Sequence, residues 1–289
     1  MDFLLDAINN WLKELLISGI TNNLTGLFDS LNQEVSGIAA QVGQTPADWN
    51  GSIFNMIRTL SETVIVPIAG ILLTFVMCME LIQLIIDKNN LHDFETWIFF
   101  KWIFKTFCAV LIVTNTWNIV MAVFDVAQHV VNQSAGIITA DTAIDLDTVI
   151  PDLAGQLEAM DVGPLLGLWL QSIIVSISLR VLALLIMLIT FGRMIEIYLV
   201  SSIAPIPMAA MMGREFGGMG QNYLRTLLAL GFQAFLIIIC VAIYAVLVQG
   251  IAAQADVSAA MWSCMGYTVL LCFTLFKTGS LSKALFSAH

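Results

Sequence analysis

The sequence predicts an all-α, polytopic helical membrane protein with about five transmembrane helices, an amphipathic N-terminal helix and one long extracytoplasmic loop. Of its 289 residues, 59% are hydrophobic and only 11% are charged, and the mean hydropathy is +0.90. Average soluble domains carry about 25% charged residues. An almost uninterrupted apolar run also extends from 169 to 212, about twice the ~20 residues that a helix needs to cross a bilayer. A soluble core could not enclose such a run, so the chain falls in the integral membrane class.

The N-terminal region, residues 1–62, is predicted to be extracytoplasmic and partly helical. Apolar residues recur at helical spacing from 4 to 20, which predicts an amphipathic helix. Such a helix could lie on the membrane, pack against a partner helix or cover its own bundle. From 22 to 50 the chain is rich in Asn, Gln, Ser and Gly, while Leu24, Leu27, Phe28 and Leu31 continue a weaker helical stripe. We expect this segment to be helical first and then a loop. The N-terminus lacks the basic segment and cleavage site of a signal peptide.

Five spans are predicted within the transmembrane bundle, residues 63–276. They are 63–86, 97–123, one crossing within 169–212, 226–248 and 259–276. Pro67 is tolerated because it lies near the start of the first span. Between the second and third spans, the segment 125–161 carries seven acidic residues and no Lys or Arg. This segment is the predicted extracytoplasmic loop, with a short helix over 151–160.

The basic residues predict the orientation. The first connection between spans is flanked by Lys88, Lys101 and Lys105, and a later connection is flanked by Arg214 and Arg225. The C-terminal tail carries Lys277 and Lys283. Cytoplasmic loops carry an excess of Lys and Arg, so both connections and the short tail 277–289 belong in the cytoplasm. The N-terminus then lies outside. Arg58, on the outer side, disagrees with this rule.

A six-span alternative remains open. In it, 173–191 and 194–212 form a hairpin, and the central run crosses twice. That arrangement puts Lys277 and Lys283 outside, against the distribution of positive charge. With five spans, the residues beyond Arg193 extend the helix at the inner boundary or bend into a short re-entrant piece.

Ionisable residues inside the spans are the first candidates for function, because a charge in lipid is costly unless it is paired or faces water. They are Glu80, Arg180, Arg193 and Glu196, and Gln83 shares a helix face with Glu80. Arg180 lies near the middle of the third span and needs a partner. Glu80 matches Arg193 in depth, and Glu196 could also pair with Arg193 at a spacing of three residues. These side chains either form an intramembrane polar network or contribute oligomer or conduit contacts.

Pro205 and Pro207 predict a helix break, because two missing N–H groups free carbonyls of Ser201, Ser202 and Ile203 in the preceding turn. Breaks of this kind occur at cavities or hinges more often than in contact with lipid. Small residues spaced four apart, such as those at 209, 213 and 217, permit close helix approach. Arg214 and Arg225 then mark a cytoplasmic basic loop.

No enzymatic, metal or cofactor chemistry is predicted. The three histidines are scattered, without an HExxH motif or a Cys/His cluster, and the five cysteines show no CxxC spacing. Ser, His and Asp do not converge in a catalytic spacing. The net charge of −10 argues against non-specific binding of nucleic acid over the whole surface. We therefore expect a non-enzymatic protein without a cofactor, and membrane lipid as one of its partners.

With these residues placed, the chain resembles the TrbL-like family of polytopic inner-membrane channel components of conjugative type IV secretion systems. The likeness rests on the helical N-terminal region, two spans, a long outer loop and then a charged block with prolines, which contains Arg193, Glu196, Pro205, Pro207, Gly217, Gly218, Tyr223 and Arg225. The resemblance implies a non-enzymatic channel or scaffold subunit of the bacterial plasma membrane that helps to move a DNA–relaxase substrate. It also implies its partners, namely further copies of itself, other subunits of the machine including an ATPase, and transient contact with the transported DNA–protein substrate.

A small-solute or ion secondary transporter or channel is the alternative function. Secondary transporters show paired inverted halves with similarly broken spans. The first half of this chain has no counterpart to the IAPIPM segment at 203–208. The sequence therefore favours the secretion component over the transporter.

Overall fold

A computed structural model of the protein describes residues 2–87, 96–138, 146–252 and 256–288. These residues form helices and connecting turns, with no strand among them. The helices are α1 (Asp2–Val42), α2 (Pro46–Trp49), α3 (Gly51–Leu60), α4 (Val66–Asp87), α5 (Thr96–Thr114), α6 (Thr116–Ile138), α7 (Leu146–Glu158), α8 (Val162–Ser202), α9 (Pro205–Ala210), α10 (Gly217–Ala252) and α11 (Val257–Leu285). The predicted all-α class is confirmed.

Helix α1 contains the helix predicted for the first part of 22–50 and continues to Val42, so the loop expected in the rest of this segment is shorter than predicted. The helix continues to Val42 because the apolar stripe of its first half continues through Leu24, Leu31 and Ile38, which are all buried. A stripe at helical spacing that stays in contact with a neighbour stabilises a helix despite polar residues on its other face. After the short helix α2, the Asn50 side chain accepts hydrogen bonds from the backbone N–H groups of Ser52 and Ile53, which caps α3.

The first span belongs to a helical segment that starts at Gly51, earlier than the predicted 63. One π-helical turn, Ser61–Ile65, joins α3 to α4, and its last bond runs from the Val66 N–H to the Ser61 carbonyl. Pro67 comes directly afterwards and cannot donate, so the irregular turn lies where the regular ladder is interrupted. Arg58 forms an ion pair with Glu62 at 2.8 Å. This pairing neutralises the one basic residue that disagreed with the predicted orientation.

Among the residues that the structure describes, five helical segments are long and apolar enough to cross a membrane, as predicted. They are Gly51–Ile86, Trp97–Thr114, Val162–Ser202, Gly217–Gly250 and Val257–Leu285. Helix α8 runs without interruption through 192 and 193, so the hairpin required by the six-span alternative is absent. The predicted outer loop over 125–161 is largely helical, because α6 extends to Ile138 and α7 covers Leu146–Glu158. Its acidic residues Asp141 and Asp145 lie outside the described residues.

The chain divides into two compact units, each built from separate stretches of sequence. Unit 1 comprises Met1–Val42, Asn132–Thr190 and Ile237–Lys277, and unit 2 comprises Gly43–Val131, Phe191–Leu236 and Thr278–His289. The predicted regions 1–62, 63–276 and 277–289 are divisions by side of the membrane, and they stay predictions.

Within unit 1, α1 lies along α8 in a parallel orientation. The Asn23 side chain donates to the Ser172 hydroxyl at 2.8 Å, and the Thr190 hydroxyl donates to the Gln41 side chain at 3.0 Å. The two pairs have the same separation in sequence, 149 residues, so the helices keep one register over about five turns. Gly19 completes this contact, because a methyl group there would lie 2.8 Å from the Trp169 ring nitrogen.

Within unit 2, α9 packs against α4 and α5. A cluster of small and medium-sized apolar side chains forms this contact, and its fully buried members include Ala69, Ala109 and Ala209. A second cluster joins the end of α8 to α6 and α10 through Phe124, Ile197 and other apolar residues. The short α9 segment therefore lies inside unit 2.

Large apolar side chains also cover the outside of the spans. On α5, Phe100, Phe104 and Phe107 are exposed by 58%, 68% and 60%. On α8, exposed apolar residues such as Ile177 and Leu188 continue along the helix. A water-soluble monomer rarely exposes an apolar surface of this extent, so these faces are suited to lipid or to other membrane helices.

Candidate functional site

The helix break at Pro205 is the centre of the candidate site. Helix α8 ends at Ser202, and α9 begins at Pro205. Proline is favoured at the first position of a helix because its missing N–H would have no partner there. The chain then leaves α9 at Ala210 and enters α10 at Gly217. Pro205 and Pro207 therefore lie at a helix break, as the sequence predicts.

The backbone at the break recovers part of the hydrogen bonding that the prolines remove. The Ala204 N–H donates to the Ser201 carbonyl at 3.3 Å, and the Ile206 N–H donates to the Ile203 carbonyl at 3.1 Å. A regular helix would have joined those carbonyls to Pro205 and Pro207, which cannot donate. The freed carbonyls of Ser201 and Ile203 are therefore satisfied locally by tighter turns, and they are not left to a partner.

Helix α9 is buried along its length. Pro205, Pro207, Met208, Ala209 and Ala210 are all buried. A contact between copies of the protein through α9 would require unit 2 to open. In this conformation α9 is part of the hydrophobic core of unit 2.

Two glycines permit this packing. A methyl group at Gly220 would lie 2.6 Å from the Pro207 carbonyl oxygen and would also overlap Met211. A methyl group at Gly213 would lie 2.6 Å from the Val76 side chain. Real side chains do not approach backbone oxygen so closely, so the return of the chain from α9 into α10 depends on these two positions having no side chain.

Glu80 connects three segments of unit 2. Its side chain is only 5% exposed. One carboxylate oxygen lies 2.7 Å from the Lys105 ammonium and 3.5 Å from the Arg214 guanidinium, while the other accepts the Arg214 backbone N–H at 3.3 Å. The carboxylate therefore joins α4, α5 and the connection between α9 and α10. The predicted pairing of Glu80 with Arg193 is wrong, because residues closer in the fold supply the positive charge.

Gln83 strengthens the same attachment. Its amide donates to the Glu215 carboxylate at 2.8 Å, one turn of α4 beyond Glu80. The predicted common face of Glu80 and Gln83 thus meets the basic loop that contains Arg214. We call the contacts of Glu80 and Gln83 with Lys105, Arg214 and Glu215 the Glu80 latch.

Arg193 and Glu196 are not paired with each other by a direct ion pair. Arg193 is 7% exposed, and it donates to the Leu230 carbonyl at 3.4 Å. Its Nε is buried without a hydrogen-bond partner among the described residues. Glu196 instead forms an ion pair with Lys283 at 2.9 Å, and both side chains are about two-fifths exposed. The predicted local pair is wrong because Arg193 points into unit 2 while Glu196 meets α11.

The C-terminal residues are attached to unit 2 by further polar contacts. Arg225 donates to the Ser287 carbonyl at 3.5 Å, and the Ser282 hydroxyl donates to the Ala229 carbonyl. Arg225 therefore contacts the end of the chain, whereas Arg214 belongs to the Glu80 latch. Arg214 and Arg225, which the sequence analysis places in one basic loop, therefore contact different segments of the chain.

Arg180 lies in unit 1, on α8. It is exposed and makes no hydrogen bond or ion pair with any residue that the structure describes. It lines a cavity of about 150 Å³ together with Glu34 of α1. The partner that the sequence required is therefore not present as a direct contact.

Glu34 is a candidate residue that sequence reasoning missed. One of its carboxylate oxygens is buried without a hydrogen-bond partner among the described residues, and burial raises the pKa of Glu34 to about 7. The signal was present in the sequence, because Glu34 follows Leu27 and Leu31 on the buried stripe of α1. The prediction named this stripe only as far as Leu31 and expected a loop later in 22–50, so Glu34 was not recognised as part of the buried face.

These features define a class of protein. The chain is a multi-pass helical membrane protein in which five helices can span a bilayer and a proline-broken segment is buried in the core. Among the described residues, no group of three or more His, Cys, Asp or Glu side chains could hold a metal ion.

Comparison with known families identifies the chain more closely. The family described as TrbL/VirB6 plasmid conjugal transfer like protein matches residues 31–205, which is more than half of the chain, and the protein belongs to this family. The predicted resemblance is confirmed. No curated protein and no solved structure matches the chain. Family and spans together indicate a multi-pass inner-membrane component of a conjugative type IV secretion system.

Replacing Gly220 by alanine tests the packing of α9. We expect Gly220→Ala to destabilise the protein by about 1–3 kcal/mol, because overpacking forces the backbone apart. The matched control is Gly218→Ala in the same helical turn, where a methyl group meets nothing within 4 Å. Alanine favours helix over glycine by up to about 1 kcal/mol, so the control should be neutral or stabilising. Thermal unfolding in detergent measures both, and equal transitions would contradict the close approach.

Replacing Glu80 by glutamine tests the Glu80 latch. We expect Glu80→Gln to lower stability by about 1–3 kcal/mol, nearer the lower figure because Lys105 and Arg214 are half-exposed and solvated. Amides from 211 to 219 should exchange hydrogen faster, because the connection loses its anchor. The matched control is Glu62→Gln, which breaks an exposed pair with Arg58 and should change little. Unchanged exchange at 211–219 would show that the latch does not hold this connection.

Proposed function

We propose that the protein is a non-enzymatic channel or scaffold subunit that helps to move a DNA–relaxase substrate across the inner membrane. The observation that carries this proposal is the family match over residues 31–205. The five span-capable helices support it, since they suit a component that stays in the membrane. The absence of a metal-binding cluster among the described residues is compatible with a structural role but does not establish it.

The protein acts as an oligomer under this proposal. The core of unit 2 is filled by α9 and its neighbours, and a bundle of about five helices leaves no pore for a polymer. A path for a DNA–protein substrate therefore needs several copies or partner subunits. Closed cyclic symmetry is the usual form of such assemblies. The exposed apolar faces of α5 and α8 are suitable contacts with lipid or neighbouring helices.

The orientation in this proposal is N-terminus outside and C-terminus in the cytoplasm. The Glu80 latch supports it, because Lys105 of α5 and Arg214 of the connection between α9 and α10 lie against the same carboxylate, and the distribution of positive charge assigns both to the same side. The other subunits of the machine would meet α1 and α7 outside. An ATPase would meet the basic connection and the C-terminal tail inside.

Conjugation frequency tests the proposed function. We expect a donor cell that lacks this gene to transfer its plasmid no better than a donor without relaxase, and expression of the protein in trans to restore transfer. A second plasmid that is mobilised by an unrelated secretion machine serves as the control and should transfer normally. Normal transfer of the first plasmid without the protein would reject the secretion role. If uptake of a small solute were lost instead, the transporter alternative would take its place.

Cysteine labelling tests the orientation. In a background without the five native cysteines, we expect a cysteine at the exposed position Asp161 to react with an impermeant maleimide in intact spheroplasts. A cysteine at the exposed position Ala284 should react only after permeabilisation, because the C-terminal tail is cytoplasmic. Replacing the buried Ala109 by cysteine supplies a position that should stay unlabelled throughout. Reaction of 161 and 284 from the same side would contradict five crossings.

A further inference from the structure

A polar cleft between α1 and α8 in unit 1 contains two opposite charges that are not joined. Glu34 and Arg180 both line a cavity of about 150 Å³. No ion pair connects them in the structure, although a buried oxygen of Glu34 has no hydrogen-bond partner among the described residues. A buried polar atom without a partner is costly. The cleft is therefore suited to a molecule that supplies both missing partners.

The rest of the lining adds neutral hydrogen-bonding groups. Asn23, Ser30 and Ser176 line the same cavity as the two charges. An ammonium group can be bound by a carboxylate and hydroxyls, and a phosphate by a guanidinium and amide N–H groups. The set therefore matches a small zwitterion that carries phosphate and ammonium close together.

A second cavity continues from the first along the same two helices. It has a volume of about 330 Å³, shares Ser30 and Glu34 with the first, and extends towards Gln41 and Thr190. Its lining includes the apolar side chains Ile38, Ala183, Ile186 and Met187. Gln33, Gln41 and Thr190 also line the second cavity, so its wall is partly polar and partly apolar. A charged compartment that continues into a groove with apolar side chains can hold a headgroup in the first part and an acyl chain along the apolar side chains of the second.

We propose that this cleft binds a zwitterionic, amine-bearing phospholipid, with the phosphate on Arg180, the ammonium on Glu34 and an acyl chain along the second cavity. Arginine is the preferred residue for planar, two-point recognition of phosphate oxygens. The acyl chain points towards the C-terminal end of α8, since the second cavity lies on that side. The proposal does not depend on the secretion role.

Glu34 supplies the negative charge for an ammonium ligand. Arg180 faces it from α8, while Tyr244 of α10 and Cys272 of α11 interact with it electrostatically. Because burial raises the pKa of Glu34 to about 7, the carboxylate is half protonated near neutral pH without a ligand. A bound ammonium stabilises the ionised form. Selectivity for the amine-bearing lipid should therefore be greater at pH 8 than at pH 6.

The test is native mass spectrometry of the full-length protein, purified in detergent and mixed with phosphatidylethanolamine and phosphatidylglycerol that have the same acyl chains. We expect the wild type to retain phosphatidylethanolamine about tenfold better than phosphatidylglycerol, the effect of one charge-assisted contact. Arg180→Gln should lower retention of both lipids. Glu34→Gln should abolish the preference between them while leaving phosphatidylglycerol bound.

Three control variants and one competition experiment keep the outcome decisive. Asp29→Asn changes an exposed acid on α1 outside the cleft, Arg58→Gln changes an exposed arginine of unit 2, and neither should alter retention. Arg180→Lys keeps the charge and should recover part of the binding, which separates loss of binding from loss of folding. Soluble phosphoethanolamine should not displace the lipid at equal concentration. Displacement would point to a soluble ligand, and equal retention of both lipids by the wild type would overturn the proposal.

Discussion

The packing of unit 2 depends on one constraint, namely that Pro205 and Pro207 have no backbone N–H group to donate. Because neither residue can donate, α8 cannot continue past this point. The six residues of α9 are too few to form a stable helix by their own hydrogen bonds, so the segment is stabilised by burial against α4 and α5. That burial requires the chain to return past α9 at very short distance, which only glycine at 213 and 220 allows. The Glu80 latch then fixes the returning connection to α4.

The contrast between Glu80 and Glu34 shows how a carboxylate in an apolar protein is stabilised. Glu80 is almost fully buried, yet Lys105 and Arg214 approach it from two other segments. Glu34 is less buried and makes no ion pair with a described residue, and burial raises its pKa to about 7. The first carboxylate is part of the architecture, since it is the acid that Lys105 and Arg214 share. The second has an unmet requirement for a partner, which makes it suitable for binding.

Much of the fold was predictable because it follows from composition and from single residues. Apolar runs longer than about 20 residues identify the five spans, and a proline pair predicts a helix break by removing donors. The length of α1 was not predicted, since polar residues on its outer face resemble a loop until the stripe ending at Ile38 is seen to be buried. The α8 hairpin of the six-span alternative was excluded only by the continuous helix.

The pairing of charges was the least predictable part of the site. Sequence separation indicates which residues can meet on one helix, but it does not give the rotation and depth of different helices. Glu196 and Arg193 have a suitable spacing, yet one meets Lys283 and the other donates to Leu230. Contacts between helices depend on how the helices pack, which a single sequence does not show. A sequence can therefore identify the charged residues of a site correctly and still predict the wrong pairs among them.

The filled core of unit 2 bears on where a large substrate could pass. A path through a single copy would have to displace α9, whose contacts include two glycine-mediated close approaches and the nearby Glu80 latch. Displacement would also expose the backbone groups of the break to a new environment, at a cost for every carbonyl left without a donor. A path between copies needs none of these contacts to break, because exposed side chains of the spans are already available to neighbours. For the proposed function, a path between several copies therefore costs less free energy than a path opened through one copy. In that arrangement Pro205 and Pro207 stabilise each subunit and do not line the path.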